Sequence, residues 1–378
     1  VTAQDTDRTS MDMLFLLLAL TMIGAVLVVF LRRMRGGAQA TGAYGAATDP
    51  ERYGFAPVER LDVRLPGPDQ ELSETLNELV RTQDWRPAQR LLAATADPEL
   101  RWQRVQSLAG AASHELAERP GEGGRWLRTW RVEAPKDAGA AVVHAEFLVH
   151  QARQTAAVSG TGSDEHRIIL EEARSVCADA ALLAPGDPTP YIVELAIARG
   201  LGYRQADFEE LWSTVTARAP HHMGAHLAAL HYWCAKWHGS KELADAFAQR
   251  AAAAAPERSL LPALPLFAVF EHLPEVNTVR SLYQSDVVTK AIEGALYAVR
   301  GAPADHPVLP HVRHLLLWFL VRAERWADAM EQLAHVDGHV GAVPWSYGAN
   351  PAAEYAAHRA LAVAGWEAAG GTPATMPR

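Results

Sequence analysis

From about residue 70 to residue 369, apolar positions return every three or four residues, and no stretch alternates with the period of two that marks a strand. That pattern predicts an all-α body. Leu72, Leu76, Leu79 and Val80 form one stripe; after a break at "TQD", Trp85, Ala88, Leu91 and Leu92 form the next. The rhythm is that of paired helices joined by tight turns. One earlier segment has no polar face at all. Met13 to Leu31 runs nineteen residues without a charge, which at helical rise is roughly the ~30 Å of a bilayer core. This predicts a transmembrane helix over 13–31. Asp5, Asp7 and Asp12 outnumber Arg8 ahead of it, whereas Arg32, Arg33 and Arg35 follow at once. A cleavable signal peptide would carry a basic leader and a shorter apolar stretch. The charge asymmetry places residues 1–12 outside and everything after the span in the cytoplasm.

Residues 32–69 are rich in Gly, Ala and Pro and lack a sustained period, so they read as a flexible juxtamembrane linker in which Tyr44, Tyr53 and Phe55 are scattered aromatics. The expected division is therefore 1–12, 13–31, 32–69, and an all-α domain over 70–378. Late in that domain, Ser285 and Asp286 signal a helix start and Gly301 with Pro303 its stop. Asn350 and Pro351 open a final capping helix that ends before Gly370 and Gly371.

The period is longer than one helix. Ala184-Pro185, Ala219-Pro220 and Ala255-Pro256 put successive prolines 35 and 36 residues apart, close to the ~34 of one helical-repeat class. At the same offset Tyr191 aligns with His226, Leu195 with Leu230, Phe208 with Leu243 and Trp212 with Phe247. Proline ends one helix and suits the first turn of the next. "ADAALLAPGDPTPY", "QDWRPAQRLLAATADP" and "ERWADAMEQLAHV" share an aromatic or repeat-end phrase, seen as Trp85, Ala88, Leu92 and Trp326, Ala329, Leu333. With these residues the chain resembles the tetratricopeptide-like helical-repeat class, without the regular Gly of its first helix. "KWHGS" followed by "FA" is similar to membrane-anchored bacterial proteins of this kind, and the heavy use of Ala and Arg over Lys suits a high-GC, actinobacterial source. The resemblance implies a curved α–α solenoid that binds extended peptides or partner helices.

The stretch "HYWCAKWHGSKELADAF", residues 231–247, is the densest in chemistry-bearing side chains. On a helix from Met223 to His238, Met223, Leu227, Leu230, Cys234 and Trp237 share a core face. Gly239 then stands where a left-handed closing residue belongs. Ser240 stands where a capping oxygen belongs, with Glu242 in the first turn, and Leu243, Phe247 and Ala251 continue the buried stripe. The competing reading takes His231, Cys234 and His238, at i, i+3 and i+7, as three zinc ligands. His222 with His226, and His311 with His314, are weaker pairs of the same sort.

Composition narrows the function. With 35 Lys+Arg against 44 Asp+Glu the net charge is -9, which disfavours nucleic acid as a partner. The two cysteines, Cys177 and Cys234, make no disulfide framework. "HAE" at 144–146 lacks the second half of a zinc-deaminase signature, and "SGTGSD" at 159–164 lacks the Lys of a phosphate loop, so Ser163 or Asp164 reads as a helix cap. In "VPWSYG", Trp345 and Tyr347 form a peptide-binding lip, or Trp345 packs under the last helix. The expectation is a single-pass membrane-anchored scaffold that holds a protein or peptide partner at the cytoplasmic face, without cofactor or turnover. The alternative is a metal-dependent enzyme or metal sensor at His231, Cys234 and His238.

Overall fold

Asp69 shows how the first helix begins: its carboxylate accepts from Leu72 N at 3.0 Å, filling one of the amide donors that a helix start leaves open. The computed structural model describes residues 49–274 and 279–377. Its helices run α1 (Gln70–Thr82), α2 (Arg86–Ala94), α3 (Pro98–Glu118), α4 (Arg125–Glu133), α5 (Ala138–Ser159) and α6 (Asp164–Leu183). They continue as α7 (Thr189–Leu201), α8 (Gln205–Arg218), α9 (Met223–Trp233), α10 (Lys241–Ala253), α11 (Leu264–Glu271) and the short α12 (Arg280–Tyr283). The last are α13 (Asp286–Gly301), α14 (Leu309–Arg322), α15 (Trp326–Val336) and α16 (Pro351–Ala368). The fold is all-α, consistent with a helical-repeat architecture; among the described residues the only strand-like pairing is one isolated bridge between Asp62 and His339. No described helix is long and apolar enough to cross a membrane, and the segment 13–31 lies outside the described residues.

The Ala-Pro turns have a physical basis. Ala184 and Ala219 close α6 and α8 with nearly the same backbone, φ/ψ of -140/73 and -146/75. Ala134, also followed by proline, closes α4 at -129/64. In each turn the residue three further on donates its N–H back to the alanine carbonyl: Asp137 at 3.0 Å, Asp187 at 3.0 Å and His222 at 3.3 Å. Its side chain then accepts from the start of the next helix: Asp137 and His222 as N-caps, from Ala140 N at 3.1 Å and, through Nδ1, from Ala225 N at 3.1 Å, and Asp187, one residue before the N-cap Pro188, from Thr189 N at 2.8 Å. One short unit thus stops a helix and starts its antiparallel neighbour. Ala255-Pro256 differs, because α10 ends earlier, with Ala254 as its cap.

Two apolar cores result, and α7 is the wall between them. Its Val193 and Ile197 join the core built from Leu65 and α1–α6, while Ile192, Leu195 and Ala198 join the core that continues through α16. Polar ties hold the early helices to later ones. Arg104 bridges Asp69 at 2.9 Å, Arg101 bridges Asp187 at 2.6 Å, and Glu99 accepts from Met223 N at 2.6 Å. Burial lifts the Glu99 carboxyl to about 8.

Residues 49–69 differ from the flexible linker expected of them. Tyr53 and Phe55 are buried and stacked 6.1 Å apart, and they belong to the second core. Asp62 N donates to Gly338 O at 2.8 Å and Val340 N to Asp62 O at 2.8 Å. Arg359 reaches Ala56 O at 2.7 Å and pairs with Asp337 at 2.8 Å. Leu65 meanwhile packs in the first core. The segment is therefore a strap across both halves, and lack of a sequence period reflects docking by isolated residues onto surfaces made elsewhere.

Candidate functional site

The 231–238 stretch does not form one helix. α9 stops at Trp233, and Cys234 takes an extended backbone with φ/ψ of -72/149, so the helical spacing that would gather His231, Cys234 and His238 is lost. His231 Nε2 meets Glu271 at 3.2 Å. The Cys234 thiol donates to Leu230 O at 3.3 Å, and burial pushes it up to about 12, away from the thiolate a metal wants. His238 Nε2 bonds Arg199 O at 2.7 Å. The three aim at separate partners, and among the described residues no group of three or more His, Cys, Asp and Glu side chains is placed to hold a metal ion.

The rest of the stretch behaves as a joint with corrected details. Gly239 is not left-handed; it is required by space, since a Cβ there would lie 2.0 Å from Trp233 O. Ser240 does cap α10, accepting from Leu243 N at 3.2 Å. Leu243 is exposed and Ala244 takes the buried position, while Phe247 and Ala251 are buried as the stripe required. The other histidine pairs are also occupied by structure. His222 caps α9, His226 Nδ1 bonds His222 O at 3.0 Å, and His314 bonds Pro66 O at 2.9 Å. Ser163, not Asp164, caps α6.

Of the two candidate lip residues, Trp345 is buried. Its ring meets Tyr355 and His358 of α16, with centroids 5.5 and 4.9 Å away. Tyr347 remains 63% exposed and stacks on Phe270 with centroids 6.2 Å apart. It stands at the edge of a cavity of about 520 Å³ between α5, α6, α7, the α9–α10 joint and the 345–347 turn. Small and aliphatic side chains form its walls: Val149, Ala152, Ala156, Leu170, Ala196, with Gly200 leaving room where a Cβ would strike Leu170 at 2.5 Å.

Cationic groups gather at this cavity although the chain as a whole is acidic. Arg153, Arg199 and Lys236 line it, with His166 and His231. Lys236 is neutralised by Glu271, whose carboxyl burial would raise but which hydrogen bonds from His231 and Lys236 hold at about 2. Arg199 lies over the Trp237 ring, 4.6 Å from its centroid, and its Nε is buried without a partner. Burial, and next the Arg153 charge, push Arg199 down to about 10, so it still carries its proton at neutral pH. Deeper in α5, burial raises the Glu146 carboxyl; Arg153 only partly offsets it. His150, 3.4 Å from Glu146, is pushed by burial down to about 3.

His231 and Tyr347, singled out in the sequence for other reasons, meet here. Arg153, Arg199 and His166 carried no sequence signal, because they come from three helices whose spacing along the chain has no motif. No known protein family, curated protein or solved structure matches this chain. The fold and cavity define a class only: an all-α protein compatible with helical repeats, with a cationic hollow at its middle.

Proposed function

We infer that the chain is a binding protein rather than a catalyst: a helical-repeat scaffold, anchored through residues 13–31, that holds a protein or peptide partner at the cytoplasmic face of the membrane. One observation carries the reading. A half-open hollow, formed by five separate segments and fixed by helix packing, presents the exposed Tyr347 beside two arginines. Exposed aromatic and arginine side chains on a rigid base suit recognition, since little ordering entropy is lost on binding. The strap supports the same picture, because residues 49–69, which follow the proposed anchor along the chain, are tied to both cores through Tyr53 and Phe55 in one and Leu65 in the other.

A photo-crosslinking residue at Tyr347, in the full chain expressed in its own cells, tests the partner. One discrete protein adduct, retained in the membrane fraction after alkaline extraction, is expected. Adducts spread over abundant proteins, or a chain released by alkali, would defeat the reading. Topology is read separately: a cysteine placed at exposed Val158 should react with an impermeant maleimide only after lysis.

A further inference from the structure

Two polar atoms in the hollow have no partner, and both are buried: Nε of Arg199 and Nε2 of His166. The histidine side is chemically defined. His166 Nδ1 lies 2.9 Å from Ala152 O, and a carbonyl can only accept, so Nδ1 carries the hydrogen. Nε2 of the neutral ring is then a bare acceptor. It faces the hollow, 3.7 Å from the place a Cβ on Gly200 would occupy, and only 5% of the residue is exposed. The arginine side is a donor of fixed positive charge. Neither Arg199 nor Arg153 has an ion-pair partner among the described residues; of the nearby acids, Glu271 is paired with His231 and Lys236, and burial raises the Glu146 carboxyl toward its uncharged form. Two like charges that line one hollow without a carboxylate in direct contact favour an anion between them, and a guanidinium fork suits an oxyanion. The rest of the lining includes the apolar side chains Val149, Leu170 and Ala196.

We propose that this hollow binds a small organic acid: a carboxylate held by Arg199 and Arg153, a hydroxyl next to it donating to His166 Nε2, and a short branched apolar stem against the α5–α7 wall. The volume fits one such molecule, being within the range of small-ligand sites, roughly 300–1,000 Å³. It uses the two arginines of the same hollow that the partner reading invokes, but not the exposed Tyr347 at its edge, where that reading is tested. A ligand here touches α5, α6, α7 and the α9–α10 joint at once, so its presence stiffens the hollow whose edge carries that tyrosine.

The probes are 2-hydroxy-4-methylpentanoate, the same acid lacking the hydroxyl, and its methyl ester, titrated calorimetrically into the purified full chain. Saturable one-to-one binding of the hydroxy acid is expected. Loss of either polar end should weaken it roughly 10- to 100-fold, the range of a hydrogen bond to a charged or buried group. Arg199→Met keeps the stem and removes the charge, and should cause the same loss; Ala157→Trp, at an exposed lining position, should block entry. Both variants are first matched to the parent by thermal melt, and Ala157→Trp keeps the proposal testable should Arg199→Met not fold. Absence of saturable binding, equal binding of acid and ester, or undiminished binding by a folded Arg199→Met chain overturns the proposal. Tighter binding of a decapeptide ending in leucine than of the hydroxy acid also overturns it, in favour of a chain terminus. Loss of the Tyr347 adduct with acid binding intact would count against the partner reading alone.

Discussion

Trp345 donates its indole N–H to His314 Nδ1 at 3.0 Å, and that one contact fixes the tautomer of a wholly buried imidazole. Nδ1 must be bare to accept, so Nε2 carries the hydrogen that reaches Pro66 O at 2.9 Å. Of the two roles the sequence offered Trp345, packing under the last helix is the one it takes, and there it is the inner end of a relay that pins the strap to α14.

Trp345→Phe keeps the ring packing but leaves His314 Nδ1 buried and unpaired. The expected cost is about 1–3 kcal/mol in urea unfolding, together with faster proteolysis within residues 49–69. Unchanged stability and unchanged cleavage would mean that no such relay holds the strap.

Arg359 is 3% exposed and pairs with Asp337, 11% exposed, at 2.8 Å. Asp337 also accepts from Tyr355 Oη at 2.9 Å. Arg359→Met leaves a buried carboxylate without its cation and should destabilise by about 3–5 kcal/mol. Asp337→Asn added to it should recover part of that loss, and a double-mutant cycle measures how much.

Acidification should destabilise the fold. Burial holds His144, His222, His311 and His358 down at about 4 and His150 and His314 at about 3, against 6.5 when unfolded. The unfolded chain therefore takes up protons first, and the stability these rings contribute is full above pH 6.5 and falls as pH drops toward 4. Glu99 acts oppositely, its contribution full below 4.5 and lost as pH rises through about 8, and the Glu146 and Glu194 carboxyls, raised by burial, act in the same sense. Six histidines outnumber these three carboxyls, and denaturation midpoints measured from pH 7.5 to pH 4.5 should decline below about 6.5. A flat profile would show that these rings are not held neutral.

Glycine positions give a paired test. A Cβ at Gly365 would sit 2.3 Å from the Trp326 ring, whereas at Gly186 it would meet nothing within 4 Å. Gly365→Ala should cost about 1–3 kcal/mol by overpacking, and Gly186→Ala should change stability by less than about 0.5 kcal/mol. Equal effects would mean that α15 and α16 do not approach as described.

Metal content separates the scaffold from the metal-site alternative. After mild chelation the purified chain is expected to hold no stoichiometric zinc by elemental analysis, since Cys234 is committed to Leu230 O and the flanking histidines to Glu271 and Arg199 O. Retained zinc lost on Cys234→Ser would reverse that conclusion.

Local signals were legible where the physics was local. Leu72, Leu76 and Leu79 form the buried face of α1 as their spacing required. Asn350 caps α16, accepting from Ala353 N at 3.1 Å. The recurring Ala-Pro marked real turns, with Ala134 an extra copy outside the 35-residue period. The alignment of Phe208 with Leu243 failed because a repeat offset fixes a position along the chain, not the rotation of its helix; Phe208 is fully buried and Leu243 is 46% exposed.

By itself the sequence determined helix, cap and turn, because each depends on residues within a few positions of one another and on backbone chemistry they share. Only the tertiary structure decided that residues 49–69 are a strap, that Trp345 faces inward, and that Arg153, His166 and Arg199 surround one hollow. These contacts join residues far apart along the chain, and burial there is set by which surfaces meet after packing, a quantity no local period encodes.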